Sequence, residues 1–374
     1  MARIFYSMAG EGRGHAARVR TLVEHLRGEH ELVLFAPDDA YEFLARCYGP
    51  EHSVANVRLL RIPGLRFHYT NRRLDLIKTI TTGLWYAFRE MPRLVGAFQR
   101  RMQAEQPDLV ITDFEPALPR AARREGIPAI SIDHQHVLLA YDLRDLPLSL
   151  RWHAWCMSWA VRLYYPRLTS VIASSFYSPP LKRGWESVHQ VGSLIRPEVA
   201  AARPHAGDYL LSYLRSNTPE RVVDLLQGLN RPIKVYGLGE RPAQGQLTFC
   251  PIHETRFVTD LAGCQAVICA AGNQLLGESL FLGKPVLAVP ETQHHEQRIN
   301  AHYLQAMGVG EWSTLEDLQS ETLVRFLGRL EAYRARLAER PDRLNGTAET
   351  VAIIHEILAR SVNLPTPQVR AEVA

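Results

Sequence analysis

The sequence predicts an α/β protein built as two Rossmann-like, doubly wound parallel-sheet domains that face each other across a cleft. Three observations predict it. Short apolar runs alternate with helix-period segments from residue 3 onward, the pattern of strands and crossover helices in a parallel sheet covered on both faces. The alternation halts at Val191-Gly192-Ser193-Leu194-Ile195-Arg196-Pro197 and the Ala- and Pro-bearing residues after it, then resumes at Tyr209. A length of 374 residues suits two domains of ordinary size, each able to bury its own core.

Residues 3–7 read as the first strand, a glycine loop follows, 15–26 read as a helix, and 31–35 turn apolar again. Further strands are expected at 59–62, 109–112, 129–132 and 171–173, with one or two helices inserted over 74–102. This gives a first domain over 1–192 and a linker over 193–207. A second domain spans 208–362, with strands near 209–212, 233–236, 247–250, 266–270 and 285–289. Helices fill 315–337 and 347–358, and 363–374 read as a frayed, Pro-bearing tail. Trp155, Trp159 and Tyr164 recur at helical spacing within 152–165, which suits core packing, an acceptor wall or an interfacial helix.

The composition is that of a globular protein, 46% hydrophobic and 22% charged. No segment approaches about twenty uncharged apolar residues, and the opening M-A-R-I-F-Y-S-M-A-G turns polar too soon for a signal peptide, so a cytoplasmic location is expected. The cysteines at 47, 156, 250, 264 and 269 form no C-x-x-C pair, which argues against a disulfide framework or structural zinc and for small core residues. The net charge of +4 comes from the first half, where residues 58–101 carry ten Lys/Arg against Asp75 and Glu90 alone. Such a stretch suits an anionic acceptor or the surface of an acidic membrane, or is the solvated face of amphipathic helices. Nucleic acid is not an expected partner, because no helix-turn-helix, finger or aromatic RNA-binding signature accompanies it.

Residues 270–301 carry the chemistry of a nucleotide-sugar site. Gly272 ends the strand at 266–270, and residues 274–282 begin a helix there. The free amides of a helix start and the positive end of its dipole bind a diphosphate without a lysine, which assigns Gly272, Asn273 and Gln274 to the donor. Glu278 lies one turn further on, placed to accept from two ribose hydroxyls. Glu296 and Gln297, in the polar turn after Pro290, suit the hydroxyls of a sugar.

This stretch resembles the nucleotide-sugar-dependent glycosyltransferases of the GT-B type, families 1 and 28, including the enzyme that adds N-acetylglucosamine to the lipid-linked peptidoglycan precursor. Those families share a glycine, a glutamate six positions on, G-x-P from five further, a strand, a proline, then E/D-Q and N-A. Gly272, Glu278, Gly283, Pro285, Pro290, Glu296, Gln297, Asn300 and Ala301 fill that pattern here. Asn273 and Gln274 depart from it, where many relatives carry a second small residue and a threonine. The resemblance implies a nucleoside diphosphate sugar as donor, no bound metal or other cofactor, and transfer with inversion.

The first domain must then supply a base. The loop Gly10-Glu11-Gly12-Arg13-Gly14-His15 joins the first strand to the first helix and opens on the cleft, with Gly12 and Gly14 expected near the donor. Its G-H-x-x-R ending, His15 and Arg18, is the form seen in families 1 and 28. His15 is the candidate general base, since an imidazole at a helix N-terminus is held neutral and accepts a proton near pH 7. In family 1 an aspartate at a place comparable to Asp113 orients the histidine; read by itself, D-x-x-P makes Asp113 equally a helix cap. Glu11 is a second base candidate or an acceptor contact. His134 and His136, in Asp133-His134-Gln135-His136 after the strand at 129–132, suit acceptor contact, although D-H-x-H also invites a metal reading. Ser212, at a strand end, suits a phosphate oxygen.

The function expected is an inverting glycosyltransferase moving a sugar from a UDP-sugar to an acceptor hydroxyl, the acceptor being a small molecule or a lipid-linked, anionic one met at the inner membrane face. A nucleotide-sugar 2-epimerase of the same architecture, or a non-catalytic sugar-nucleotide binding protein, are the alternatives.

Overall fold

A computed structural model describes residues 1–374 except 11–12, 53, 65–68, 71–72, 75–82, 84, 216–217, 292, 340–343 and 363–374. The first domain opens with β1 (Arg3–Met8), α1 (Arg13–Leu26), β2 (Glu31–Ala36), α2 (Asp38–Tyr48) and β3 (Val57–Arg61). A short antiparallel pair, β4 (Tyr69–Thr70) and β5 (Arg73–Leu74), precedes a π-helical turn at Tyr86–Glu90 that runs into α3 (Met91–Glu105). Then come β6 (Leu109–Asp113), α4 (Ala117–Glu125), β7 (Ala129–Asp133), α5 (Val137–Ala140), α6 (Leu148–Tyr164), β8 (Ser170–Ser174) and β9 (His189–Val191). Seven of these strands form one parallel sheet in the order β3-β2-β1-β6-β7-β8-β9.

The strand sequences explain why the sheet is covered twice. Ile4, Tyr6, Leu32, Leu34 and Ile111 point into one core beneath α1, while the alternate residues Phe5, Val33, Phe35 and Val110 point into the other beneath α3 and α4. Both faces must therefore be helix-lined. In α1, Ala16, Val19, Leu22, Val23 and Leu26 make one buried stripe.

The connecting residues form α7 (Pro197–Ala201), and the second domain follows: β10 (Leu210–Tyr213), α8 (Glu220–Gln227), β11 (Ile233–Tyr236), β12 (Leu247–Cys250), α9 (Glu254–Gly263), β13 (Val267–Cys269), α10 (Asn273–Phe281), β14 (Val286–Ala288), α11 (His295–Ala306) and β15 (Gly310–Trp312). These six strands are parallel, in the order β12-β11-β10-β13-β14-β15. The chain ends in α12 (Ser320–Leu327), α13 (Leu330–Ala338) and α14 (Thr347–Val362). The last helix returns to the first domain, where Ile353, Ile354 and Leu358 join the core under α1.

Some expectations need correction. The helices expected over 315–337 start later, at Ser320, and are two, because the chain turns at Gly328 and Arg329 before α13 begins. The edge strands β9 and β15 have only three residues each, too short for a visible apolar run. Cysteines 250, 264 and 269 are core residues, but Cys156 is exposed. The tryptophans of α6 do not pack a core, with Trp152, Trp155 and Trp159 at 62%, 53% and 50% exposure, whereas Tyr164 is half-buried and stacks on Phe114. Within residues 58–101, positions 65–68, 71–72, 75–82 and 84 lie outside the described residues, as does the tail from 363.

Candidate active site

In an open parallel sheet, ligands meet the carboxyl ends of strands where the order reverses direction. In the first sheet that point lies between β1 and β6, which end side by side with Met8 paired to Asp113. In the second it lies between β10 and β13. The helices leaving the two points, α1 and α10, touch across the gap: a methyl placed on Gly14 would lie 3.9 Å from Gln274 Cβ. Topology thus brings the two segments singled out in the sequence face to face.

On the first side, His15 Nδ1 lies 2.7 Å from Asp113 Oδ1. Arg18, one turn further along α1, grips the same carboxylate with Nε donating to Oδ2 and Nη2 to Oδ1, both at 2.8 Å. Asp113 is fully buried. Burial alone would raise its pKa, but Arg18 and His15 outweigh it and hold the carboxyl below its ordinary value. A carboxylate only accepts, so in the neutral form of the ring the short contact places the proton of His15 on Nδ1 and the lone pair on Nε2, with Arg18 Nη2 3.1 Å from the same Nδ1. The D-x-x-P ambiguity is resolved locally: Glu115, not Asp113, caps α4, accepting from the amides of Ala117 at 2.7 Å and Leu118 at 2.9 Å. Phe114 between them has φ of 57°, an unusual state for a bulky residue, and its ring stacks on Tyr164 with centroids 4.5 Å apart.

On the second side, Ala271 also takes a left-handed conformation, φ 62°, immediately before Gly272, and no side chain caps α10. Asn273 donates from Nδ2 to the Ser174 carbonyl of the first domain, while its buried Oδ1 has no partner among the described residues. Gln274 donates to the Leu194 carbonyl at 2.7 Å and to Glu278 at 2.9 Å. Glu296, in the first turn of α11, reaches the same gap. Burial pushes its carboxyl up, but His134, His294, His15 and Arg18 together bring it below the usual range. Gln297 is buried and accepts from the Glu291 amide through Oε1.

Several expected contacts prove to be otherwise engaged. Glu278 is 1% exposed and takes Nε and Nη2 of Arg196, each at 2.7 Å, so its carboxylate is held by the interdomain linker in this structure. Gly277 makes that packing feasible, since a Cβ there would sit 2.0 Å from Ser193 Oγ. His136 is buried against Asp133, Nδ1 to Oδ2 2.8 Å, in a turn that Tyr165 also closes by donating to Asp133; it holds a loop instead of facing an acceptor. His134 is buried too, with Nδ1 3.1 Å from the Ser174 carbonyl and Nε2 3.0 Å from Asn300 Oδ1, a bridge between the domains. Asp133, His134 and His136 therefore do not converge as D-H-x-H suggests. Ser212 lies inside β10, one residue before its end, fully buried and with no hydroxyl partner among the described residues. Glu11 and Gly12 lie outside the described residues.

Sequence reasoning missed Arg196, Asn300 and Glu115 as working side chains. Arg196 stood in the linker and Asn300 in the shared pattern, but nothing in their spacing told that Arg196 ties the linker to the second domain and Asn300 the second domain to the first. Arg196 reaches Glu254 as well, and Arg20 of α1 meets Glu254 and Glu198, so a chain of ion pairs crosses the gap.

Comparison with known proteins bears on the fold and the family. No curated protein matches the chain by sequence. Among solved structures, UGT2 of Phytolacca americana, complexed with UDP-2fluoro-glucose and pterostilbene, is similar with a TM-score of 0.69 at 16% identity, covering 96% of this chain and 99% of that one. CalG4, the calicheamicin glycosyltransferase, gives 0.66 at 15% identity over 96% and 99%. MurG of Acinetobacter baumannii gives 0.61 at 13% identity over 95% and 100%. At such identities the likeness speaks for the fold, the paired Rossmann-like domains of GT-B. The sequence description of glycosyl transferase family 1 matches residues 2–331, nearly the whole of both domains, and the chain accordingly belongs to that family of glycosyltransferases.

Proposed function

We propose that this glycosyltransferase transfers a sugar with inversion from a UDP-sugar to an acceptor hydroxyl, with His15 as general base. The observation that carries the reading is the His15–Asp113 contact of 2.7 Å opposite the uncapped start of α10. Asp113 fixes the tautomer and steadies the imidazolium that forms when Nε2 takes the acceptor proton. The acceptor oxygen then attacks the anomeric carbon as its bond to the diphosphate breaks. Amides of Asn273 and Gln274 at the α10 start meet the charge on the departing diphosphate, in place of a metal ion. Glu296 and Gln297, at the start of α11, hold the sugar hydroxyls. The UDP-sugar analogue in the UGT2 complex supports the choice of donor. For Glu278 to serve a ribose, Arg196 must yield part of its grip.

The acceptor we favour is amphiphilic and anionic, met at the inner face of a membrane, because the first domain concentrates both cations and exposed aromatics. The test is a panel of nucleotide sugars read by thermal shift, then turnover of the stabilising donor with and without a chelator. Stabilisation by UDP-sugars and chelator-resistant turnover support the proposal; stabilisation by none of the panel, or loss of turnover on chelation, overturns it.

A further inference from the structure

Helix α6 carries an unbroken apolar stripe, Leu148, Trp152, Trp155, Trp159 and Leu163, at steps of four, three, four and four residues. That spacing keeps one face of a helix in register, and such a face normally lies against a core. Here it faces outward, with Leu148 at 79% exposure, Leu163 at 75% and the three tryptophans between 50% and 62%. The opposite face is the one that packs: Leu150, Ala154 and Val161 are buried, and His153 stacks on His295 of α11 at 3.6 Å. The helix is thus held by one face and presents the other.

The charge around the stripe identifies what it meets. Helix α6 holds Arg151 and Arg162 and no acid, and Arg162 lies 5.5 Å over the Trp159 ring. Beside it runs a groove of about 500 Å³ between Leu138, Leu143, Trp152 and Trp155, edged by Arg144 and Lys182. Its one acidic lining residue, Asp142, is paired with Arg144. At the far end Arg120 donates to the Leu163 and Tyr164 carbonyls, and the adjoining turn exposes Trp85 and Phe88. A second copy of this helix would bring arginine against arginine. Tryptophans flanked on the helix by Arg151 and Arg162, with Asp145 just before its start, suit a layer with apolar depth and anionic headgroups, where indole rings settle at the interface.

We infer that the α6 face docks on an anionic phospholipid bilayer, with Trp152, Trp155 and Trp159 at headgroup depth. The inference rests on the amphiphilic-acceptor reading for its purpose, though not for its binding. Docking in this pose places the groove beside α6 at the lipid boundary, where an acceptor's apolar chain can enter it.

The experiment is flotation of the full chain with phosphatidylcholine vesicles made with and without phosphatidylglycerol, at low and high salt, repeated with Trp152→Ala/Trp155→Ala/Trp159→Ala. Expected are flotation with the anionic vesicles, weakening by salt, a blue shift of tryptophan emission, and a loss of on the order of tenfold in the triple variant. These side chains are exposed, so the variant should keep its melting temperature, which is measured alongside. Absence of flotation with anionic vesicles, or equal flotation of the variant, overturns the inference. So does a dimer in sedimentation velocity that the same substitutions abolish, since the face would then belong to a second copy. UDP binding measured by calorimetry on both proteins reads the donor site separately, so failure of docking and failure of the donor reading are told apart.

Discussion

Asp113 Oδ1 and His15 Nδ1 lie 2.7 Å apart, although 98 residues separate them in the chain. The contact exists because β1 and β6 are neighbours in the sheet, and because Arg18 supplies the charge that keeps the buried carboxylate ionised.

Replacing His15 by alanine should lower kcat by about two to four orders of magnitude while leaving UDP affinity nearly unchanged. Asp113→Asn should lower kcat in the same direction, by less than the loss of the imidazole. Steady-state kinetics with calorimetry of UDP binding checks both; equal loss of turnover and UDP binding in His15→Ala would assign the ring to ligand binding instead.

Arg18→Leu should destabilise the protein by about 3–5 kcal/mol, because it strands an ionised carboxylate in the core. Chemical denaturation measures it. Adding Asp113→Asn to Arg18→Leu should recover part of the loss, as the carboxylate then carries no charge.

Arg196→Met should cost stability in the same way by orphaning Glu278, and a double-mutant cycle with Glu278→Gln should show coupling of about 0.5–3 kcal/mol. The kinetic consequence is separate. If Glu278 leaves Arg196 to serve a ribose, Glu278→Gln raises KM for the donor with kcat little changed; an unchanged KM would leave it a structural ion-pair partner.

His295 gives a pH dependence. Burial first, then His153, Arg298 and His294, lower its pKa from 6.5 to about 4. Between those values the unfolded chain binds a proton that the folded protein refuses, so stability falls as pH drops from about 6.5 toward 4. Thermal melts across that range should decline, and His295→Gln should flatten the decline.

The long parallel strands, and both cleft-facing helix starts, were legible from residue type and period. Strand ends and glycines announce themselves locally, which placed His15, Asp113 and Gly272 at the cleft, and the resemblance to families 1 and 28 then suggested their roles. What stayed illegible was competition for side chains. Glu278 and His136 have the right chemistry for ligands, yet Arg196 and Asp133 reach them first, and only the folded chain shows which partner is nearer. The tryptophans of α6 stayed ambiguous for a related reason: a helical period says that a stripe exists, not what covers it.

Ile353, Ile354 and Leu358 of α14 complete a core whose other members lie among the first 194 residues. During synthesis, therefore, the lobe made earliest waits with an open seam until the stretch around residue 350 has left the ribosome. Fragments cut near residue 346 should be poorly soluble, and attempts to produce the two lobes as independent pieces should succeed only when that final helix is supplied to the earlier one.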